Sequence, residues 1–261
     1  MRLVVEGKEV FVGTGGREFD PALPAVVFLH GAGFDHTAWA LLARAFASHG
    51  FGVLAPDLPG HGRSAGPPLS SIAALADWTA ALIDAAGAPA ARLIGHSMGS
   101  LIALETAARH PAKVTALALI ATAAPMAVSD DLLNAAKSND HSAIDMMLIW
   151  GYGYRATLGG SEVPGMWMLG GGERLLERTQ PGVLFADLSA CNDYRNAMTA
   201  AGKVTVPSIV IQGSRDVMTP AKGGKAVAAA IGGCRPTLIE GAGHMLMSER
   251  PDEVLAALRN A

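Results

Sequence analysis

The chain has 261 residues, 50% of them hydrophobic and 16% charged, and 20 lysines and arginines against 23 acidic residues leave a formal net charge of −3. This is the composition of a globular protein of one or two domains with enough apolar residues for a substantial core. It offers no basic field to hold a phosphate backbone, which argues against nucleic acid as a partner.

At the N-terminus the apolar stretch before Glu6 is too short for the hydrophobic region of a secretory signal. A weak strand pair follows at residues 3–5 and 9–12, then short apolar strands at 25–29, 52–55, 92–94, 116–121, 208–211 and 237–239. Most are apolar on both faces, as buried parallel strands are. Helices are predicted between them at 37–49, 71–86 and 98–110. Gly50 and Gly87 suit left-handed caps after the first two, and Pro111 stops the third. Thr219-Pro220 and Pro251 mark two later helix starts. Strand and helix in alternation predict an α/β fold, a mostly parallel sheet flanked by helices.

Residues 125–201 break the alternation. They hold no clean strand, many glycines and the methionines Met126, Met146, Met147, Met166, Met168 and Met198. The stretch is too long for a bare loop. It reads as an inserted helical cap, with residues 1–124 and 202–261 forming the core. Gly170-Gly171-Gly172-Glu173 within it reads as a hinge or linker. The most apolar run, residues 114–128, contains Thr115, Thr122 and Pro125 and falls short of the ~20 residues of a membrane helix. A cytoplasmic protein without stable membrane association is expected. Cys191 and Cys234 lack C-x-x-C spacing and read as free thiols.

Ile94-Gly95-His96-Ser97-Met98-Gly99 follows a predicted strand and opens a predicted helix, the context of a nucleophile elbow. A sharp strand-to-helix turn crowds the positions two before and two after the serine, so glycine is needed at both. Ser97 is then exposed at a helix N-terminus, whose unpaired N–H groups favour developing negative charge. With 31 glycines in the chain the pattern alone is weak, and context has to support it.

Three features do. His30-Gly31-Ala32-Gly33 directly follows a strand, where a second oxyanion donor would come from; the assigned donors are the N–H groups of Ala32 and Met98. The competing reading is a dinucleotide fingerprint with Asp57 as the ribose acid. It lacks the third glycine and does not lie in the first strand-helix unit. Asp216 stands just beyond a strand, where a carboxylate could fix an imidazole tautomer, and Thr122-Ala123-Ala124 after the preceding strand offers no acid. An ordinary turn role for Asp216 is compatible with this. Of the eight histidines only His244 follows Asp216; His49 and His110 close helices, and His96 points away from its elbow neighbour. The order is therefore Ser97, Asp216, His244.

With HGAGFDHTAW, DLPGHGRS, GHSMGS, GSRDVMTP and GAGHMLMSERPDEV in that order, the chain resembles the α/β-hydrolase fold superfamily over essentially its whole length. The resemblance implies an eight-stranded sheet with an antiparallel second strand, a cap inserted after the sixth strand, and a cofactor-free hydrolase with the triad Ser97, Asp216 and His244. Haloalkane dehalogenases and epoxide hydrolases are similar but carry aspartate where this chain has Ser97. Prolyl aminopeptidases typically show G-G-S-W-G. Carbon-carbon bond hydrolases often have Gly-Pro-Gly after the first HG, where Phe34-Asp35-His36 stands here. The remaining likeness is to carboxylesterases, monoacylglycerol-type lipases, lactonases and cofactor-free haloperoxidases.

The expected activity is hydrolysis of a small or medium apolar carboxylic ester through an acyl-enzyme. A carbon-carbon bond hydrolase, lactonase or haloperoxidase on the same triad, or a ligand receptor on the same scaffold, are the alternatives. Met146, Met147, Trp150, Trp167 and Met245 are candidate substrate contacts, since thioethers and indoles can line an adaptable apolar pocket. Trp39, Trp78 and Phe46 read as core. No spacing of His, Cys and carboxylates suggests a metal, and no cofactor is expected.

Overall fold

The computed structural model describes residues 1–163 and 165–259. The chain opens with an antiparallel hairpin, β1 (Arg2–Val5) and β2 (Lys8–Gly13). Glu6 and Gly7, both at positive φ, turn it with the twist that two-residue hairpins require. Next come β3 (Ala25–Leu29), a 3-10 turn at His36–Trp39, α1 (Ala40–Ser48), β4 (Gly52–Pro56), α2 (Ile72–Ala85), β5 (Ala91–His96), α3 (Met98–Arg109) and β6 (Val114–Ile120). Among the described residues there follow α4 (Asp130–Lys137), α5 (Ser142–Gly151), α6 (Tyr154–Thr157), α7 (Met168–Glu177), α8 (Val183–Asp193) and α9 (Ala197–Ala201). The chain then completes the sheet with β7 (Ser208–Gly213), α10 (Ala221–Ala230) and β8 (Arg235–Ile239), and ends in α11 (Leu246–Glu249) and α12 (Pro251–Arg259).

The eight strands lie in the order β1-β2-β4-β3-β5-β6-β7-β8. β2 is antiparallel to both its neighbours and every pair from β4 to β8 is parallel. Every residue of β3, β4 and β7 is buried, because helices cover both faces of the sheet. Each of Val26, Val27, Phe28 and Leu29 is fully buried, and each contributes about 1.5–3 kcal/mol of transfer free energy. Trp39, Trp78 and Phe46 belong to this core, as expected. The sheet edge explains β8, which carries Pro236 where a missing N–H costs a ladder bond least.

The helix ends follow the local chemistry. Ser71 caps α2 by accepting the Ala74 N–H, and Gly50 and Gly87 take the left-handed conformation (φ +85° and +76°). Asp35 accepts the Thr37 N–H and starts the 3-10 turn that leads into α1, so the predicted helix at 37–49 is a short 3-10 turn followed by an α-helix.

The glycine run 170–172 is a correction. It lies inside α7 and is not a linker. A β-carbon on Gly170 would fall 2.2 Å from the Trp167 ring, and one on Gly172 would fall 2.6 Å from the Tyr152 hydroxyl. At Gly170 and Gly172 close packing outweighs the roughly 1 kcal/mol that a glycine costs a helix, whereas a β-carbon on Gly171 would meet nothing within 4 Å.

No helix among the described residues is long and apolar enough to cross a membrane. α8 and α9 pack on α3, and a buried carboxylate joins them there: Glu105 of α3 accepts the Tyr194 hydroxyl at 2.5 Å and the Asn196 amide at 3.0 Å. Tyr194→Phe should therefore cost about 1–2 kcal/mol, read as a lower urea midpoint. An unchanged midpoint would show that this contact does not hold the inserted helices down.

Candidate active site

Strands β5, β7 and β8 run parallel, so the loops at their C-terminal ends meet on one edge of the sheet. Those loops carry Ser97, Asp216 and His244. Ser97 sits between β5 and α3 at φ +53° and ψ −119°, a conformation that a side chain-bearing residue adopts only under constraint. Its N–H donates to the Ile120 carbonyl at 2.9 Å, and its carbonyl accepts from the N–H and hydroxyl of Ser100. The glycines two residues away are needed. A β-carbon on Gly95 would lie 2.0 Å from the Gly99 carbonyl oxygen, and one on Gly99 would lie 2.1 Å from that of Leu29.

His244 Nδ1 lies 2.9 Å from Asp216 Oδ2, with both side chains buried. The other oxygen of Asp216 accepts the N–H groups of Met218 and Thr219, so the turn role and the histidine partnership hold together. The Thr219 hydroxyl donates to Asp216 Oδ2 at 2.6 Å and lies 3.1 Å from His244 Nδ1. Burial alone would push the Asp216 carboxyl up. The His244 imidazole and the bonds from His244 and Thr219 outweigh it and hold the carboxyl below its ordinary value. With Nδ1 engaged, Nε2 is the His244 nitrogen left to act as a base.

Two glycines let the histidine loop close on its neighbours. A β-carbon on Gly213 would be 2.3 Å from the Gly243 carbonyl oxygen, and one on Gly243 would be 2.4 Å from the Gly153 nitrogen. The N–H groups of His244 and Met245 donate to the carbonyl of Gly151 at the end of α5. Glu249 is buried beneath this junction and accepts from Gly153 and Gly243. Its burial pushes the carboxyl up against the pull of those N–H groups.

Sequence reasoning set His96 aside as a base, and the structure gives it a supporting position. Its Nε2–H donates to the His244 carbonyl at 2.9 Å. Burial, with the neighbouring His244, pushes its pKa down to about 3, so the ring stays neutral. Thr219, Gln212 and His96 were missed as supports. Gln212 bonds Thr122 through both ends of its amide and also the Thr219 carbonyl, tying the loops after β6 and β7. No local pattern marks such long-range contacts.

Ser97, His244 and Ala32 line one cavity of about 340 Å³. Met126, Leu132, Met147, Trp150, Leu188 and Met218 form much of its apolar wall, and among the described residues no Asp, Glu, Lys or Arg lines it. Met98, buried, is the first residue of α3. In the loop after β3 the Gly33 N–H is taken by Asp187 and the Phe34 N–H by the Gly31 carbonyl. Neither bond uses the N–H of Ala32. Of the candidate contacts, Met147 and Trp150 line the cavity. Met245 borders a void of about 10 Å³ that also touches Ser97. Trp167, 71% exposed, lines a separate cavity between α7 and the start of α1, which Met245 also borders. Met146 lines none of these.

Asp35, His36 and Asp57 also come together, within 4.8 Å, a grouping their spacing does not suggest. Their donors are already engaged. Asp57 accepts from the N–H and Nδ1 of His36 and the N–H of Arg63, while Asp35 accepts from Thr37 and Arg178. Cys191 and Cys234 are unbridged.

A family model described as the alpha/beta hydrolase family matches residues 26–257. The chain belongs to the alpha/beta hydrolase family. Among its relatives, a pimeloyl-[acyl-carrier protein] methyl ester esterase of Chromobacterium violaceum is 32% identical over 213 residues, 77% of this chain and 80% of that one. Epoxide hydrolase A of Mycobacterium tuberculosis is 29% identical over 290 residues, 92% and 90% of the two chains. A solved enol-lactonase from Burkholderia xenovorans superposes with a TM-score of 0.86 at 24% identity, covering 100% of this chain and 98% of that one, a likeness of fold. A thermophilic esterase gives 0.81 at 27% identity, covering 100% and 95%. The alpha/beta hydrolase sheet and topology inferred from the sequence are those observed.

The sign of one pH effect follows from Asp216. Its folded pKa lies below the ordinary aspartate value of about 3.9. Its contribution to stability is complete above that value and is lost as the pH falls through the lower folded value. Asp216→Asn should flatten part of the fall in Tm on acidification from pH 5 to 3. An acid limb as steep as wild type would mean that the carboxylate is not held ionised.

Proposed function

We propose that this protein is a serine hydrolase of uncharged carboxylic esters, acting through an acyl-enzyme. The observation that carries the reading is that the strained Ser97 and His244 line one cavity, with His244 paired to the buried Asp216 behind it. His244 Nε2 takes the Ser97 proton as Oγ attacks the ester carbonyl, and Asp216 fixes the tautomer and offsets the imidazolium charge. The N–H groups of Ala32 and Met98 receive the oxyanion. His244 then protonates the leaving alkoxide, and water repeats the sequence to release the acid.

Epoxide opening through an alkyl-enzyme ester needs a carboxylate nucleophile. The elbow presents a hydroxyl, so likeness to an epoxide hydrolase does not carry that chemistry over. The esterase relative and the uncharged cavity wall favour esters. The space around Ser97 is unequal, about 340 Å³ against about 10 Å³. One group flanking the carbonyl therefore has to be short, while the other occupies the larger cavity. Residues 125–201 serve as a cap in this reading, with Leu132 of α4 and Met147 and Trp150 of α5 supplying part of the cavity wall.

On p-nitrophenyl acetate or butyrate, Ser97→Ala and His244→Ala should each lower kcat by on the order of 10⁴, and Asp216→Asn somewhat less. Esters bulky on both sides of the carbonyl should react at least about tenfold more slowly than esters with one short side. Near-wild-type turnover by Ser97→Ala would overturn the assignment.

A further inference from the structure

Two side chains from the segment between β6 and β7 fasten the same residue of the loop that follows β3. The Gly33 N–H donates to Asp187 Oδ2 of α8 at 2.9 Å, and the Gly33 carbonyl accepts the Thr179 hydroxyl at 2.6 Å. Leu176 and Leu184 close over Gly33 so tightly that a β-carbon there would meet each at 3.0 Å. One glycine is thus held at both its polar groups, by Thr179 in the α7–α8 connection and by Asp187 in α8.

That glycine is part of a turn. The Phe34 N–H donates to the Gly31 carbonyl at 3.2 Å, and Gly33, third of the four residues, has φ +70°, the arrangement of a type II turn. Turning over the peptide between Ala32 and Gly33 would give the type I form and break the bond to Asp187. The Gly31 carbonyl, which shares a peptide plane with the Ala32 N–H, also accepts from His30 Nδ1 at 2.9 Å. Holding this carbonyl fixes the direction in which the Ala32 N–H points.

Asp187 is itself fixed. It is 1% exposed, and its Oδ2 lies 2.7 Å from His61 Nε2, while His61 Nδ1 lies 3.1 Å from the Pro59 carbonyl. The Pro59 carbonyl only accepts, so Nδ1 donates to it, and although burial pulls the His61 pKa down, the neighbouring Asp187 and its hydrogen bond raise it above the ordinary value. His30, whose ring centre is 4.9 Å from that of His61, is the complement. Its Nε2 accepts the Leu58 N–H, and its pKa is pushed down to about 4 by burial and by His61.

We propose that Thr179 and Asp187 are positioning residues for the oxyanion site, holding the turn at Gly33 so that the Ala32 N–H keeps its direction as charge develops. This rests on Ala32 being an oxyanion donor, as argued under Proposed function. A donor displaced by a fraction of an ångström weakens transition-state binding while leaving the ester's ground-state contacts in place. The loss therefore falls on kcat.

The test measures kcat and KM on p-nitrophenyl butyrate together with inhibition by butylboronic acid, whose tetrahedral adduct would use the same N–H groups. Thr179→Val and Thr179→Ala remove the hydroxyl at a half-buried position. Each should lower kcat by on the order of tenfold with KM within about twofold, and weaken the boronic acid by a similar factor. Thr179→Ser keeps the hydroxyl and should restore both to within about twofold of wild type. Asp187→Asn, which keeps an acceptor for Gly33, should retain more kcat than Asp187→Ala.

Wild-type kcat and boronic acid affinity in both Thr179→Val and Thr179→Ala would overturn the proposal. So would equal losses in Thr179→Ser and Thr179→Val. Ser97→Ala in the same assay separates the two levels. If it is inactive while the Thr179 variants match wild type, only the positioning role fails; if it turns over normally, the hydrolase reading fails and this inference with it.

Discussion

At the end of β5 the chain has to change from strand to helix across one residue, and it can do so only where backbone meets backbone without a side chain between. Gly95 and Gly99 supply that approach, bringing the first turn of α3 against the carbonyl ends of β5 and β3. Ser97 is left in a conformation it would not choose alone, held by Ile120 below and Ser100 ahead. The strain, of order 1–3 kcal/mol for a residue in such a region, is carried by the surrounding sheet. Everything else in the proposed site is placed relative to this point. The Gly31 turn abuts the β-carbon of Ser97, and the His244 loop rests on His96, the residue before it.

The interior charges are organised around the same point. Asp216 and Asp187 each face a histidine, and each fixes a loop through backbone N–H bonds, two to Asp216 and one to Asp187. Removing one partner from such a pair would leave an uncompensated buried group, which is far more costly than the pair is stabilising. Glu249 serves the junction of α5 with the His244 loop through N–H bonds alone, and burial raises its pKa accordingly. In the proposed reading these contacts make the segment between β6 and β7 part of the site's framework as well as its cover.

The sheet was legible because its information is local. Buried parallel strands read as short apolar runs, and Gly50, Gly87 and Pro251 mark helix ends by their own backbone restrictions. The triad candidates were legible because chain order and strand ends place them on one edge of the sheet. The rest depended on long-range contacts. Asp187 meets His61 across 126 residues and Thr179 meets Gly33 across 146, so no spacing rule announces them. The glycines of α7 misled because propensity argues against a helix there, while the packing of Trp167 and Tyr152 that requires Gly170 and Gly172 is tertiary. Among the candidate substrate contacts, Met146 and Trp167 show the limit of composition. A Met- and Trp-rich segment indicates an apolar lining without saying which faces meet Ser97.

The central claim is that the elbow makes one serine among many a nucleophile, with His244 as its base. Covalent trapping tests this most directly: the protein is treated with a fluorophosphonate ester, and the adduct is mapped by peptide mass spectrometry. The account predicts stoichiometric modification of the peptide containing Ser97 in the wild type, and labelling slowed by orders of magnitude in a folded His244→Ala variant. Adduct on another residue, or equally fast labelling without His244, would contradict it.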